Sequence, residues 1–181
     1  DQVGSMFAGI EAELGPVELL VTNAGIARSA DGAGMTAETW REIMAVNLDG
    51  TFHTVWQAKD RMRERGFGRI VCLSSILGLN VNPINPERLI AYSTAKAAVI
   101  GFVRHCAAAF GPTVRVNGVA PGFIETDMTA DVTPEARDRL MAATPMRRIG
   151  EPDEVADVVH FLLSDRSNFV TGHTHVVSGG L

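Results

Sequence analysis

The 181-residue chain has a net charge of −5, with 46% hydrophobic and 20% charged residues, a balance that suits one packed domain and excludes a disordered chain. Its densest basic run, Arg61, Arg63 and Arg65, is interleaved with Asp60 and Glu64, which fits a solvated helix end and argues against a nucleic-acid surface. No apolar run reaches membrane-spanning length and no signal peptide is visible, while Cys72 and Cys106 stand in apolar runs without metal-ligand spacing, as buried reduced thiols of a cytoplasmic protein that binds no metal through them.

The chain opens on a helical pattern. Met6, Phe7, Ile10 and Leu14 recur at helical spacing, and Gly15 follows as a stop. A chain that starts at Asp1, inside an uncapped helix, reads as a piece of something longer. Val17 to Thr22 (VELLVT) is a short apolar run expected to form a buried parallel strand. It ends in Asn23-Ala24-Gly25, small residues that let a ligand approach the backbone. Arg28 to Met35 reads as a polar loop. Within it, Gly32-Ala33-Gly34-Met35-Thr36-Ala37 matches the letters G-x-G-x-x-A, but a dinucleotide fingerprint must follow a strand directly and this one does not.

Thr36 to about Arg65 is a long helical pattern with Thr36 as N-cap, interrupted at Asn47 and Gly50. Arg69 to Leu73 (RIVCL) is the next strand and closes on Ser74-Ser75, at the carboxyl end where open α/β sheets bind ligands. A loop with Pro83 and Pro86 leads to a helix from Pro86 to about Phe110. From Ala95 to Val103 that helix is apolar except for Lys96, which predicts burial on all sides, one against the sheet and the other against a partner subunit. Thr113 to Ala120 has strand character and ends in Pro121-Gly122. Phe123 to Asp131 is polar and irregular, a candidate lid. Helices are expected from Thr133-Pro134 to Ala143 and from Pro152 onward, then a last strand over His175 to Val177. Strands alternating with helices predict an α/β fold with a parallel sheet.

The helix after Pro86 contains Tyr92-Ser93-Thr94-Ala95-Lys96. Tyr92 is the only tyrosine, and Lys96 is one of two lysines. A spacing of four places both side chains on one helical face. An ammonium there is expected to lower the phenol's pKa, so that the phenol can exchange a proton with a carbonyl oxygen.

Six stretches in order carry a family resemblance: TNAG from Thr22, VNLDG from Val46, LSSILG from Leu73, YSTAK from Tyr92, VRVNGVAPGFIETDM from Val114 and VTGHTHVVSGG from Val170. Together they resemble the short-chain dehydrogenase/reductase family, in its 3-oxoacyl-acyl-carrier-protein reductase-like branch. The resemblance covers essentially the whole chain and implies one domain over residues 1–181, the C-terminal two-thirds of a Rossmann-like, doubly wound parallel sheet. It implies an oxidoreductase that moves a hydride between NAD(P)H and a carbonyl or alcohol, with a 3-oxoacyl thioester as leading substrate and NADP favoured over NAD. It further implies a cytoplasmic homo-oligomer, tetramer or dimer, that binds neither membrane nor nucleic acid.

The resemblance also assigns residues. Tyr92 is the acid/base and also a cofactor contact, and Lys96 lowers its pKa and holds the nicotinamide ribose. Ser75, rather than Ser74, bonds the substrate carbonyl, and Asn47 holds a water in a proton relay. Asn23, Ala24 and Gly25 pack on the adenosine side of the cofactor, and Pro121, Gly122, Ile124 and Thr126 hold the nicotinamide. Two departures stand out. The interval from Ser75 to Tyr92 is lengthened by Asn82-Pro83-Ile84-Asn85-Pro86, on the substrate side. The family's glycine-rich opening, two βαβ steps of about 60 residues, has no counterpart here. Two alternatives remain: a crippled fragment that survives by assembly, or an enzyme for sugar or steroid alcohols.

Overall fold

The structure, a computed structural model, describes residues 2–27, 35–81 and 87–181. The discounted glycines Gly32 and Gly34 and the inserted segment Asn82 to Pro86 lie outside the described residues.

Among the described residues four strands, β1 (Leu19–Thr22), β2 (Gly68–Leu73), β3 (Val114–Pro121) and β4 (Thr174–Val177), form one sheet in the order β1-β2-β3-β4. All pairings are parallel, with Thr22 opposite Cys72, Leu73 opposite Val119 and Pro121 opposite Val177. The carboxyl ends of all four strands therefore lie along one edge. Helix α1 (Gln2–Leu14) precedes β1, and between the strands run α2 (Ala37–Met44), α3 (Gly50–Arg65), α4 (Ile90–Phe110), α5 (Pro134–Ala143) and α6 (Pro152–Leu163).

The period of two in the strands divides the core. Ile70 and Cys72 of β2, with Val114 and Val116 of β3, meet Phe7, Val55, Met62, Val99, Val103 and Phe110 from α1, α3 and α4. Val71, Leu73 and Val119 point the other way, onto Leu162 and the apolar side of α6. Helices on both faces make the sheet doubly wound, as expected. The helix starts follow local chemistry: the Thr36 and Thr133 hydroxyls accept from Thr39 N–H and Ala136 N–H, and Glu151 and Glu154 form a reciprocal capping box.

β1 departs from the expectation of a buried strand. It is shorter, β2 is its only neighbour in the sheet among the described residues, and Leu19 is 52% and Val21 37% exposed. A strand is buried all round only when both edges and both faces are covered, and here only Thr22 is buried and Leu20 partly so, packed against the core. The Tyr92 helix meets the sheet on one side, and its other side, expected against a partner subunit, is open in the single chain. Ala95, Lys96, Val99, Ile100 and Val103 are buried, while Thr94, Ala97, Arg104 and His105 form an open face.

The long helix from Thr36 is split by a π-helical turn at Ala45–Asp49. The Asn47 amide explains it: Nδ2 donates to Ile43 O at 2.9 Å, a carbonyl an α-helix gives to the N–H of residue 47. Such turns often mark functional positions. The candidate lid is tied down at its start. Glu125 N–H donates to Gly150 O at 2.9 Å, Gly150 N–H to Phe123 O at 3.1 Å, and Arg137 grips the Glu125 carboxylate.

Candidate active site

The first half of the site comes from the β1 turn, the π turn and α4. Asn23 and Ala24 emerge exposed at the end of β1. Gly25 then passes so close to two side chains that a Cβ there would lie 2.8 Å from Asn47 Oδ1 and 3.4 Å from Lys96 Nζ. Asn47 is fully buried. Its Nδ2 also donates to Ile26 O at 2.9 Å and its Oδ1 accepts from Ile26 N–H at 3.3 Å. Both amide hydrogens are thereby committed to backbone, so the side chain clamps the turn after β1. The Asn47 main-chain carbonyl accepts from Thr51 Oγ1 at 3.1 Å.

The second half joins β2 to α4. Ser74 and Ser75 are both buried but spend their hydroxyls differently. Ser74 Oγ donates to Lys96 O at 2.7 Å, whereas Ser75 Oγ caps the following 3-10 turn by accepting from Leu77 N–H at 3.2 Å and meets the Tyr92 hydroxyl. Lys96 Nζ lies 5.7 Å from the Tyr92 ring centroid and donates to Leu73 O at 2.8 Å. The structure thus brings Ser75, Tyr92, Lys96, Asn47 and Gly25 together.

The electrostatics correct one expectation. The phenol of Tyr92 is pushed up, because burial disfavours the phenolate more than the Ser75 hydrogen bond favours it. The lysine does not reverse this: its ammonium is bonded to a carbonyl and lies against the ring. Lys96 is itself only 4% exposed, and burial brings its pKa down to about 8. The amine is therefore cationic below about pH 8 and neutral above it. With the cation required, kcat/KM, which reports the free enzyme, is expected to fall as pH rises through about 8. Tyr92 loses its proton only at higher pH. A pH–rate profile that stays level from about pH 7 to about pH 9.5, a span bracketing that lysine midpoint, would contradict this.

Pro121 and Gly122 stand on the β4 side of the same edge. Gly122 N–H donates to Val177 O at 2.8 Å, and a Cβ on Gly122 would lie 2.7 Å from the Ser178 Cα. The Ile124 side chain is turned into the protein against Gly150, so a ligand would meet its backbone. Thr126 begins a 3-10 turn closed by Thr129, whose hydroxyl donates to Ile124 O at 2.7 Å. Sequence reasoning missed Ile26 and Leu73, which act through backbone atoms that leave no mark in residue identity. Gly78 did leave one, as the glycine of LSSILG. Among the described residues no group of three or more His, Cys, Asp or Glu side chains is placed to hold a metal ion, and no helix is long and apolar enough to cross a membrane.

The whole chain, residues 1–181, matches the family model described as Enoyl-(Acyl carrier protein) reductase. An acetoacetyl-CoA reductase of Rhizobium meliloti is 43% identical over 182 residues, covering 96% of this chain and 71% of that protein. Among solved structures, a 3-oxoacyl-acyl-carrier-protein reductase from Brucella melitensis superimposes with a TM-score of 0.91 at 40% identity, over 99% of this chain and 68% of its own. A gluconate 5-dehydrogenase from Burkholderia cenocepacia, in complex with NADP and tartrate, gives 0.92 at 33% identity, over 99% and 70%.

Proposed function

The chain belongs to the short-chain dehydrogenase/reductase family and is an NAD(P)-dependent oxidoreductase, and from that premise we propose that it reduces the carbonyl of a 3-oxoacyl thioester, with Tyr92 as proton donor. The observation that carries the reading is the meeting of the Ser75 and Tyr92 hydroxyls at the carboxyl edge of the sheet, with the Lys96 ammonium behind the phenol ring.

The residues fit a nicotinamide nucleotide. Gly25 keeps the backbone open beside Asn47 and Lys96, and Asn23 and Ala24 are accessible on the same turn. A buried ammonium beside them suits a ribose hydroxyl. Asn23, Ala24 and Gly25 would hold the adenosine side; Pro121, Gly122, the Ile124 backbone and Thr126 would hold the nicotinamide. When bound, the cofactor supplies the hydride. As negative charge grows on the substrate's carbonyl oxygen, Ser75 Oγ–H and Tyr92 Oη–H are donors aimed at it. Tyr92 gives its proton to that oxygen, and the resulting phenolate is steadied by Lys96 and reprotonated from solvent through the lysine and a water held at Asn47. Burial that keeps the phenol protonated suits a proton donor.

The thioester assignment draws support from the 43% identity to an acetoacetyl-CoA reductase. A polyol substrate is the second reading, favoured by the likeness to a gluconate 5-dehydrogenase. Initial rates with NADPH and acetoacetyl-CoA, beside rates with NADP and gluconate, separate them. A kcat/KM for acetoacetyl-CoA at least about tenfold higher, about 1.4 kcal/mol of transition-state preference, is expected; the reverse order would overturn the thioester reading. Homo-oligomer formation belongs to the same proposal. Exposed Phe52 and Trp56, stacked with centroids 5.0 Å apart on α3, extend the open face of α4.

A further inference from the structure

Tyr92 stands on a helix and Ser75 at the end of a strand, so their hydroxyls meet only while α4 keeps one register along β2. Lys96 carries that register twice. Its ammonium donates to Leu73 O at 2.8 Å, and its main-chain carbonyl accepts from Ser74 Oγ at 2.7 Å, both within the buried interior. Gly78 brings the turn after Ser75 onto the same residue. A Cβ on Gly78 would lie 2.8 Å from the Lys96 carbonyl carbon and 2.9 Å from Lys96 O and Ala97 N.

The two bonds differ in what the chemistry asks of them. Of the three donors of the ammonium, Leu73 O takes one, and the others are asked to serve a ribose hydroxyl and a phenolate. The Ser74 bond engages only backbone and is asked to do nothing else. The Thr51, Thr54 and Thr94 hydroxyls each donate four residues back along their own helical segment. Ser74 reaches across 22 residues from strand to helix.

We propose that Ser74 is a positioning residue, whose hydroxyl pins the Lys96 carbonyl and keeps Tyr92 opposite Ser75 while the Lys96 ammonium serves the cofactor and the phenolate. The proposal rests on the reading of Ser75, Tyr92 and Lys96 as the reacting set. A serine that only satisfied a buried carbonyl would stabilise the fold without tuning Tyr92 in particular.

Because Tyr92 is the only tyrosine, its ionisation can be followed as one NMR resonance of ring-labelled protein. In the wild-type background, Ser75→Ala should raise the Tyr92 midpoint, since the hydrogen bond that lowers it is lost. In the Ser74→Ala background the same change should move the midpoint less than about half as far, by the non-additivity of coupled sites, and Ser74→Thr should restore the full shift. Ser74→Ala should also lower kcat for acetoacetyl-CoA by about tenfold or more, as misplaced reacting groups do, with the NADPH Kd changed less than about twofold. In a Tyr92→Phe background, that loss should shrink to less than about twofold. A full Ser75→Ala shift in the Ser74→Ala protein would overturn the proposal, and so would equal fractional losses of kcat with and without Tyr92→Phe. If Ser74→Ala does not fold, Ser74→Cys, which keeps the volume and replaces the hydroxyl by a weak donor, takes its place in the titration with the same expectation. Full activity in Tyr92→Phe would refute the proposed function instead, and the titration would still judge Ser74.

Discussion

Tyr92→Phe is expected to lower kcat by about 10²–10⁴-fold, the usual worth of a positioned acid or base, while leaving cofactor affinity within a small factor. The substitution removes one oxygen and keeps the ring. Because Tyr92 lies half-buried at the start of α4, with the lysine against its ring, the apolar contact survives. What is lost is the donor opposite Ser75. In the wild-type protein that donor is kept protonated by burial, so nearly every molecule is poised to give a proton at neutral pH. The check is kcat for thioester reduction beside NADPH binding followed by fluorescence. A loss that appeared wholly in the cofactor Kd would mean that Tyr92 holds the nucleotide and does not serve the proton.

Lys96→Met should be nearly as severe, but with a different signature. The ammonium is 4% exposed and bonded to Leu73 O at 2.8 Å; removing such a donor from a dry site typically costs about 10²–10³-fold in rate. Unlike Tyr92→Phe, this change should also weaken cofactor binding, because the same ammonium is assigned to the ribose. The fall in kcat/KM near pH 8 should disappear with it. Stability should change little: an unpartnered Leu73 carbonyl costs about 1–3 kcal/mol, and relief of a buried charge offsets it. Steady-state kinetics, a pH profile and thermal melts measure the three effects. Intact cofactor affinity in the variant would detach Lys96 from the ribose.

Much of the fold was legible because parallel strands announce themselves. RIVCL and TVRVNGVA are apolar or β-branched runs that end in Ser-Ser and Pro-Gly, and both are central strands. β1 was harder. LLVT reads as apolar whether or not its neighbours cover it, and burial depends on what lies beside a strand, which its own residues do not record. The gathering of Ser75, Tyr92 and Lys96 was legible because the chemistry proposed for them resides in their side chains. Asn47 was found for its position, but its work on Ile26 was not, since a bond between an amide and backbone leaves the partner's identity free. The direction of the Tyr92 shift was misread for a related reason. Helical spacing places an amine beside a phenol but says nothing of the Leu73 carbonyl that claims the amine, or of the burial that outweighs it. The inverse surprise is Arg115, unremarkable in VRVN. It lies buried and donates to Leu162 O, Ser164 O and Val170 O, tying the end of α6 to β3.

The most direct measurement is a crystal structure of the protein with NADP⁺ and an alcohol or carboxylate substrate analogue. The account expects one ligand oxygen to lie within hydrogen-bond distance, about 2.6–3.2 Å, of both Ser75 Oγ and Tyr92 Oη, with Lys96 Nζ on the ribose. An ordered nicotinamide beside a ligand oxygen that touches neither hydroxyl would contradict it.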